Sequence, residues 1–190
     1  MDFAAIIGRV QRLLMSPASE WDVIAGEAAD VQKIYMNYVG PLVLVSALAM
    51  ALGLVSFWGF GFALQTFLVQ AVMGLVMGYV VAFVISMLAP TFGATPDMGQ
   101  AFKLAAYAPT ASWVAGIIMI VPALWFIAIL GSLYSLYLLY VGLPKLMKPA
   151  EDKTVIYILA IIGVMIVIGI VVGIVQSSLT PTPPVTVRFN

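Results

Sequence analysis

Polar residues in this chain fall in clusters, and the long apolar stretches between them set its architecture. Residues 3–14 place Phe3, Ile6, Ile7, Val10, Leu13 and Leu14 at helical spacings, with Arg9, Gln11 and Arg12 elsewhere on the wheel. The pattern predicts an amphipathic helix that lies on the membrane surface or packs against the protein's own bundle. Ser16 followed by Pro17 suits the N-cap and first position of a second, more polar helix running through Glu20, Trp21 and Asp22. Together these form a helical leader over residues 1–38. Arg9 and Arg12 interrupt any continuous apolar core near the N-terminus, so a cleaved signal peptide is not expected.

From Ile34 to Pro96 there is no charged residue. A hydrocarbon core about 30 Å thick is crossed by roughly 20 helical residues, so this stretch allows two crossings. They are expected at 39–57 and 64–89, separated by Trp58-Gly59-Phe60-Gly61, where glycines weaken the helix and aromatic rings suit a membrane interface. Residues 90–100 carry Pro90, Gly93, Pro96, Asp97 and Gly99 and read as a water-facing loop. The apolar run from Lys103 to Pro144 is too long for one crossing, and Pro122 near its middle divides it into 103–121 and 123–143. A charged loop, Lys145 to Lys153, precedes a fifth apolar span at 154–176. Residues 177–190, with Thr180-Pro181-Thr182-Pro183-Pro184, are expected to extend as a polyproline-like tail. The class is therefore all-α: a polytopic bundle of about five transmembrane helices with an N-terminal amphipathic helix.

Composition makes lipid the solvent. Of 190 residues, 64% are hydrophobic and 8% charged, against roughly 25% charged in soluble domains. Eight basic residues balance eight acidic ones, with no cluster suited to nucleic acid. The absence of Cys and His removes disulfides, thiol nucleophiles, imidazole bases and most zinc sites, so no cofactor or metal is expected. With five spans, Arg9, Arg12, Lys33, Lys103, Lys145, Lys148 and Lys153 fall on one side and Arg188 on the other. That bias puts the N-terminus in the cytoplasm and the C-terminus outside.

No ionisable group lies in a span interior, and no nucleophile–base pair is visible, so no catalytic residue is assigned. Lys103 sits at the start of a span, where snorkelling to the headgroups is expected. Gln65 and Gln70 need partners if they reach hydrocarbon, either in an interhelical contact or along a polar substrate path. Gly74 with Gly78, and Gly169 with Gly173, form GxxxG faces suited to intramolecular packing or to homodimerisation. Tyr134, Tyr137 and Tyr140 step along one arc of a span and suit bundle packing with their hydroxyls tied to neighbours.

Several segments taken in order carry a family resemblance. They are Leu14-Met15-Ser16-Pro17 with Glu20-Trp21, Tyr38-Val39-Gly40-Pro41-Leu42, and Ala106-Tyr107-Ala108-Pro109. The most specific is the run from Gly131 to Tyr140, including Tyr134 and Tyr137, followed by Gly142-Leu143-Pro144. Over nearly its whole length the chain resembles the Yip family (Ypt-interacting proteins), in the short bacterial form. The resemblance implies a five-helix membrane domain with a cytoplasmic N-terminus, a bacterial plasma membrane location, and a role in membrane organisation or trafficking. Eukaryotic relatives are associated with Rab-type GTPases through a longer N-terminal region than the 38-residue leader here, which weighs against that partner. The leading expectation is a non-enzymatic membrane scaffold whose partners are the bilayer and a membrane protein or second copy. The alternative is a small-molecule or lipid transporter using a groove between helices kinked at Pro41, Pro109 and Pro122.

Overall fold

The computed structural model describes residues 3–179, and side chains through residue 174, so the proline-rich part of the expected tail lies outside the described residues, while 177–179 belong to the last helix and not to an extended tail. All regular elements among them are helical. The leader consists of α1 (Phe3–Met15) and α2 (Pro17–Gly26). The Ser16 hydroxyl makes no capping bond; instead its backbone bridges the two helices, its N–H donating to Arg12 O and its carbonyl accepting from Glu20 N–H. Ile6 and Leu13 bury the inner edge of α1, so this helix packs on the bundle, while Phe3 and Ile7 on its neighbouring edge stay exposed.

The membrane helix begins inside the region assigned to the leader. Asp30 caps the short α3 (Val31–Ile34) by accepting from the Lys33 N–H at 2.9 Å. A π-helical turn, Tyr35–Val39, then leads into α4 (Gly40–Leu88). Pro41 has no N–H to donate to Asn37, and the backbone widens just before it, with Gly40 N–H donating to Tyr35 O. Residues 39–57 and 64–89 thus lie in one element, interrupted at Gly59, whose φ of 79° and ψ of 168° only glycine adopts readily.

Asp97, expected only as a loop carboxylate, caps α5 (Met98–Tyr107) by accepting from Gln100 N–H at 3.0 Å. Pro109 separates α5 from α6 (Thr110–Ile118), since it cannot donate to Ala105. A tight turn at Pro122–Leu124 leads to α7 (Trp125–Met147), and α8 (Thr154–Leu179) follows. Thr95 N–H donates to Met147 O and Ala150 N–H to Phe92 O, so the 89–97 and 148–153 loops share one end of the bundle with the leader. At the other end Gly53 lies against the carbonyls of Met119 and Ile120. Three helical stretches among the described residues are long and apolar enough to cross a membrane: Val31–Phe92, Pro122–Met147 and Thr154–Ile174. The segments α5 and α6 are each too short to do so alone.

The largest fully buried side chains, among them Trp21, Ile24, Leu104, Leu143 and Met147, concentrate at the leader end. Toward the far end Phe57, Trp58, Phe60 and Trp125 are exposed, as the outer surface of a bundle solvated by lipid requires. The two glycine pairs differ. A Cβ on Gly74 would lie 2.7 Å from Val43 Cγ1 and one on Gly78 2.5 Å from the Tyr35 hydroxyl, whereas Gly169 and Gly173 have no neighbour within 4 Å among the described residues. Because Val43 is β-branched and yields little, Gly74→Ala is expected to destabilise the bundle by about 1–3 kcal/mol. Gly173→Ala meets no neighbour and should leave stability unchanged or raise it by up to about 1 kcal/mol, and thermal unfolding of the two variants in detergent measures the contrast.

Candidate functional site

The richest concentration of polar chemistry lies where the leader meets the bundle. Its centre is Lys103, 1% exposed on α5. The last carbonyls of a helix have no intrahelical donors and carry the negative end of its dipole. Those of α2 are met by the Lys103 ammonium, which donates to Ile24 O at 2.7 Å, Ala25 O at 3.2 Å and Glu27 O at 2.8 Å. The side chain therefore turns inward to cap α2 rather than snorkelling to the headgroups. Snorkelling would return one cation to water but leave three carbonyls at the leader's end without that donor. Gln100 Nε2 adds a longer bond to Ala25 O at 3.4 Å.

Beside this cap, Glu20 is buried at 3% exposure between two guanidinium groups. Arg12 Nε donates to Glu20 Oε2 at 2.8 Å. Arg9 Nη1 stands 2.9 Å from Glu20 Oε1 without hydrogen-bond alignment, so that contact is Coulombic. Arg9 Nη2 donates to Glu27 Oε1 at 2.5 Å, and the guanidinium carbon sits 5.6 Å from the centre of the Tyr107 ring. Burial works against the Arg9 charge, but its bond to Glu27 and the nearby Tyr107 and Glu20 outweigh it and raise its pKa above the ordinary value.

Aromatic packing holds the leader to this network. Trp21 is fully buried, edge-on to Tyr107 with ring centres 6.5 Å apart, and its indole N–H has no acceptor among the described groups, so it anchors by packing alone. Gly142 makes room for it: a Cβ there would lie 2.6 Å from Trp21 Cε2. Tyr38 packs on Tyr107 at 4.7 Å and donates to Thr110 Oγ1 at 2.8 Å, the Thr110 hydroxyl proton being used on Tyr107 O. Tyr134 donates to Leu14 O at 2.6 Å, and Lys145 reaches Asp22 at 2.5 Å.

The structure thus gathers Tyr107, Tyr134 and Gly142, from the segments that carried the family resemblance, around Glu20 and Trp21 of the leader. Pro41 and Pro109 shape the backbone nearby. Pro144 lies inside the last turns of α7; Tyr137 touches Tyr134 with ring centres 5.4 Å apart and is otherwise exposed. Gln65 and Gln70 are exposed on α4 and line none of the three cavities described, the Gln70 amide reaching Met50 Sδ at 3.5 Å. No group of three or more acidic, His or Cys side chains able to hold a metal occurs among the described residues. Sequence reasoning missed the Lys103 cap and the Arg9–Glu20–Glu27 network. Their one visible signal was a lone lysine flanking a 40-residue apolar run.

A helical bundle with three membrane-length apolar helices and lipid-compatible outer faces is an integral membrane protein. Its sequence matches the family model of the Yip1 domain over residues 12–174, and the chain belongs to that family. No curated protein and no solved structure gave a match.

Lys103→Met keeps the aliphatic stem but removes the donor that the Ile24, Ala25 and Glu27 carbonyls share, at an expected cost of about 3 kcal/mol to leader docking. Amide exchange in α2 should then accelerate by about 100-fold while that of α8 stays constant. Gly142→Leu should release the same segment by displacing Trp21, although it lies on the opposite side of the interface and carries no charge.

Proposed function

We infer that this protein is a non-enzymatic scaffold that organises or shapes the bilayer in which it sits. The observation that carries this reading is the rigid attachment of an interfacial helix to a transmembrane bundle. Through Trp21, Lys103 and Tyr134 the leader is held to α5 and α7, and α1 presents Phe3, 64% exposed, and Ile7, 56% exposed, on its outer edge. An amphipathic helix buried to roughly 5–10 Å in the headgroup boundary occupies area in one leaflet. Fixed to the bundle, it converts protein density into leaflet asymmetry. Membership of the Yip1-domain family fits a membrane-trafficking setting.

Purified protein reconstituted at rising density should shrink or tubulate liposomes in electron micrographs, and Phe3→Ser with Ile7→Ser should reduce the effect severalfold. Wild-type protein that incorporates densely and leaves vesicle shape unchanged would sink this reading.

In the same reading the chain crosses five times, in a bacterial plasma membrane, with the leader in the cytoplasm. Supporting this, α5 and α6 joined end to end through Pro109 cover 98–118, about 30 Å of rise. Arg9, Arg12, Lys33, Lys103 and Lys145 also gather at one end of the bundle, the pattern of a cytoplasmic face. Since the sequence has no cysteine, single Gly61→Cys and Glu151→Cys variants can be labelled in intact cells. Position 61 should react with an impermeant maleimide from outside and position 151 only after permeabilisation; the reverse pattern rejects the orientation.

A further inference from the structure

The largest cavity described is an open cleft of about 1040 Å³ between α1 and the α3 segment. Gly8 and Arg12 form part of one wall, Lys33 and Asn37 part of the other, and Tyr38 and Tyr107 also line it. Three basic groups, Arg9, Arg12 and Lys33, are balanced in and beside the cleft by Glu20, Glu27 and Asp30, but the pairing is uneven. Arg9 is engaged by Glu20, Glu27 and Tyr107 on its inner side. Arg12, 55% exposed, meets Glu20 through Nε, which leaves its terminal nitrogens outside that bond. Asp30 accepts the backbone N–H of Lys33, and among the described residues no carboxylate lies within 4 Å of the Lys33 ammonium. Two cationic groups therefore line the cleft from different elements with donors unspent.

The depth of the cleft identifies the anion. Lys33 is the last charge before the uncharged stretch 34–96, so it marks the boundary of the hydrocarbon. Helix α1, which carries the exposed Phe3 and Ile7, lines the same cleft as Lys33 through Ala4, Ala5 and Gly8. The medium at that level is the phosphate layer of the bilayer. The lining holds Arg9, Arg12 and Lys33 against Glu27 and Asp30, a surplus of one positive charge, so a monoanion is favoured over a phosphomonoester of higher charge. We propose that this cleft binds the phosphodiester head group of a glycerophospholipid, with Arg12 and Lys33 as its phosphate contacts and the Asn37 amide as a further donor. This holds whether or not the protein bends membranes, since a head group can be bound by an inert bundle.

The test uses the full chain, stripped of lipid in detergent, with native mass spectrometry under titration by dioleoylphosphatidylglycerol. Lys33→Gln removes no ion pair described here and leaves the Asp30 cap intact, so it should fold normally. It should weaken retention of the lipid by about tenfold, and Arg12→Gln with Lys33→Gln further still, while Lys153→Gln should match wild type. Dioleoylglycerol, which has the same chains and no phosphate, should bind no better to wild type than to Lys33→Gln. Equal lipid retention by wild type and Lys33→Gln would overturn the proposal, as would dioleoylglycerol binding as tightly as the phospholipid. Displacement of the lipid by an equal concentration of inorganic phosphate would also overturn it, by assigning the cleft to a soluble phosphate.

Discussion

A single buried ammonium determines how the polar leader joins an apolar bundle. Taking a lysine out of water is costly unless oxygen atoms replace its hydration shell. Lys103 finds three of them, the carbonyls of Ile24, Ala25 and Glu27 at the end of α2, where the Glu27 N–H supplies Ile24 O with one longer bond at 3.2 Å. The two deficits cancel only while α2 stays docked on α5. Separating the helices would require both to be rehydrated at once, so position 103 specifies where the leader sits as well as holding it there. Trp21 depends on that placement: its ring lies over Gly142, where Leu104 of α5 also packs, so a docked α2 is what brings the indole there.

Inside lipid every backbone group must find a partner within the protein, and the breaks in these helices show how this chain meets that constraint. At Pro41 the helix widens into a π turn. At Pro109 it stops and restarts, and nearby side chains satisfy the exposed ends: Thr110 Oγ1 donates to Tyr107 O, and the Ser135 hydroxyl on α7 accepts the orphan N–H of Ser112 at 2.9 Å. A buried serine ordinarily bonds back to its own helix. This serine pair instead joins α6 to α7, because the first turn of a restarted helix has donors that nothing in its own chain direction can accept. At Gly59 the break falls among exposed aromatic rings, where water and headgroups can serve the freed groups.

The helical class, the amphipathic character of α1 and the membrane setting were legible because they follow from periodicity and composition, which are local. Trp21, Tyr107 and Gly142 were legible only as pieces of a family pattern, without their mutual contact. Lys103 was misread because a lysine flanking an apolar run ordinarily snorkels, and nothing in its neighbourhood in sequence reveals the helix end docking on it from 79 positions away. The pairing of Glu20 with Arg9 and Arg12 was equally hidden. Residues 11 and 8 positions apart would lie about 16 and 12 Å apart along one continuous helix, and the contact exists only because the chain turns back at Ser16 so that α2 runs beside α1.

The glycine pairs show why a spacing rule cannot by itself decide between packing and association. Gly74 and Gly78 lie on the second half of α4, which folds back at Gly59 against the segment carrying Tyr35 and Val43. Each glycine is covered by a side chain of its own chain, and Tyr35 is fixed there by its bond to Leu75 O at 2.5 Å. Gly169 and Gly173 have the same spacing but lie beyond Ile161, the last buried residue described on α8. No described residue comes within 4 Å of a Cβ placed at either position. The spacing makes a smooth face in both places, and what occupies the face is set by where the chain turns: the fold-back at Gly59 covers one pair, and no turn of the described chain covers the other.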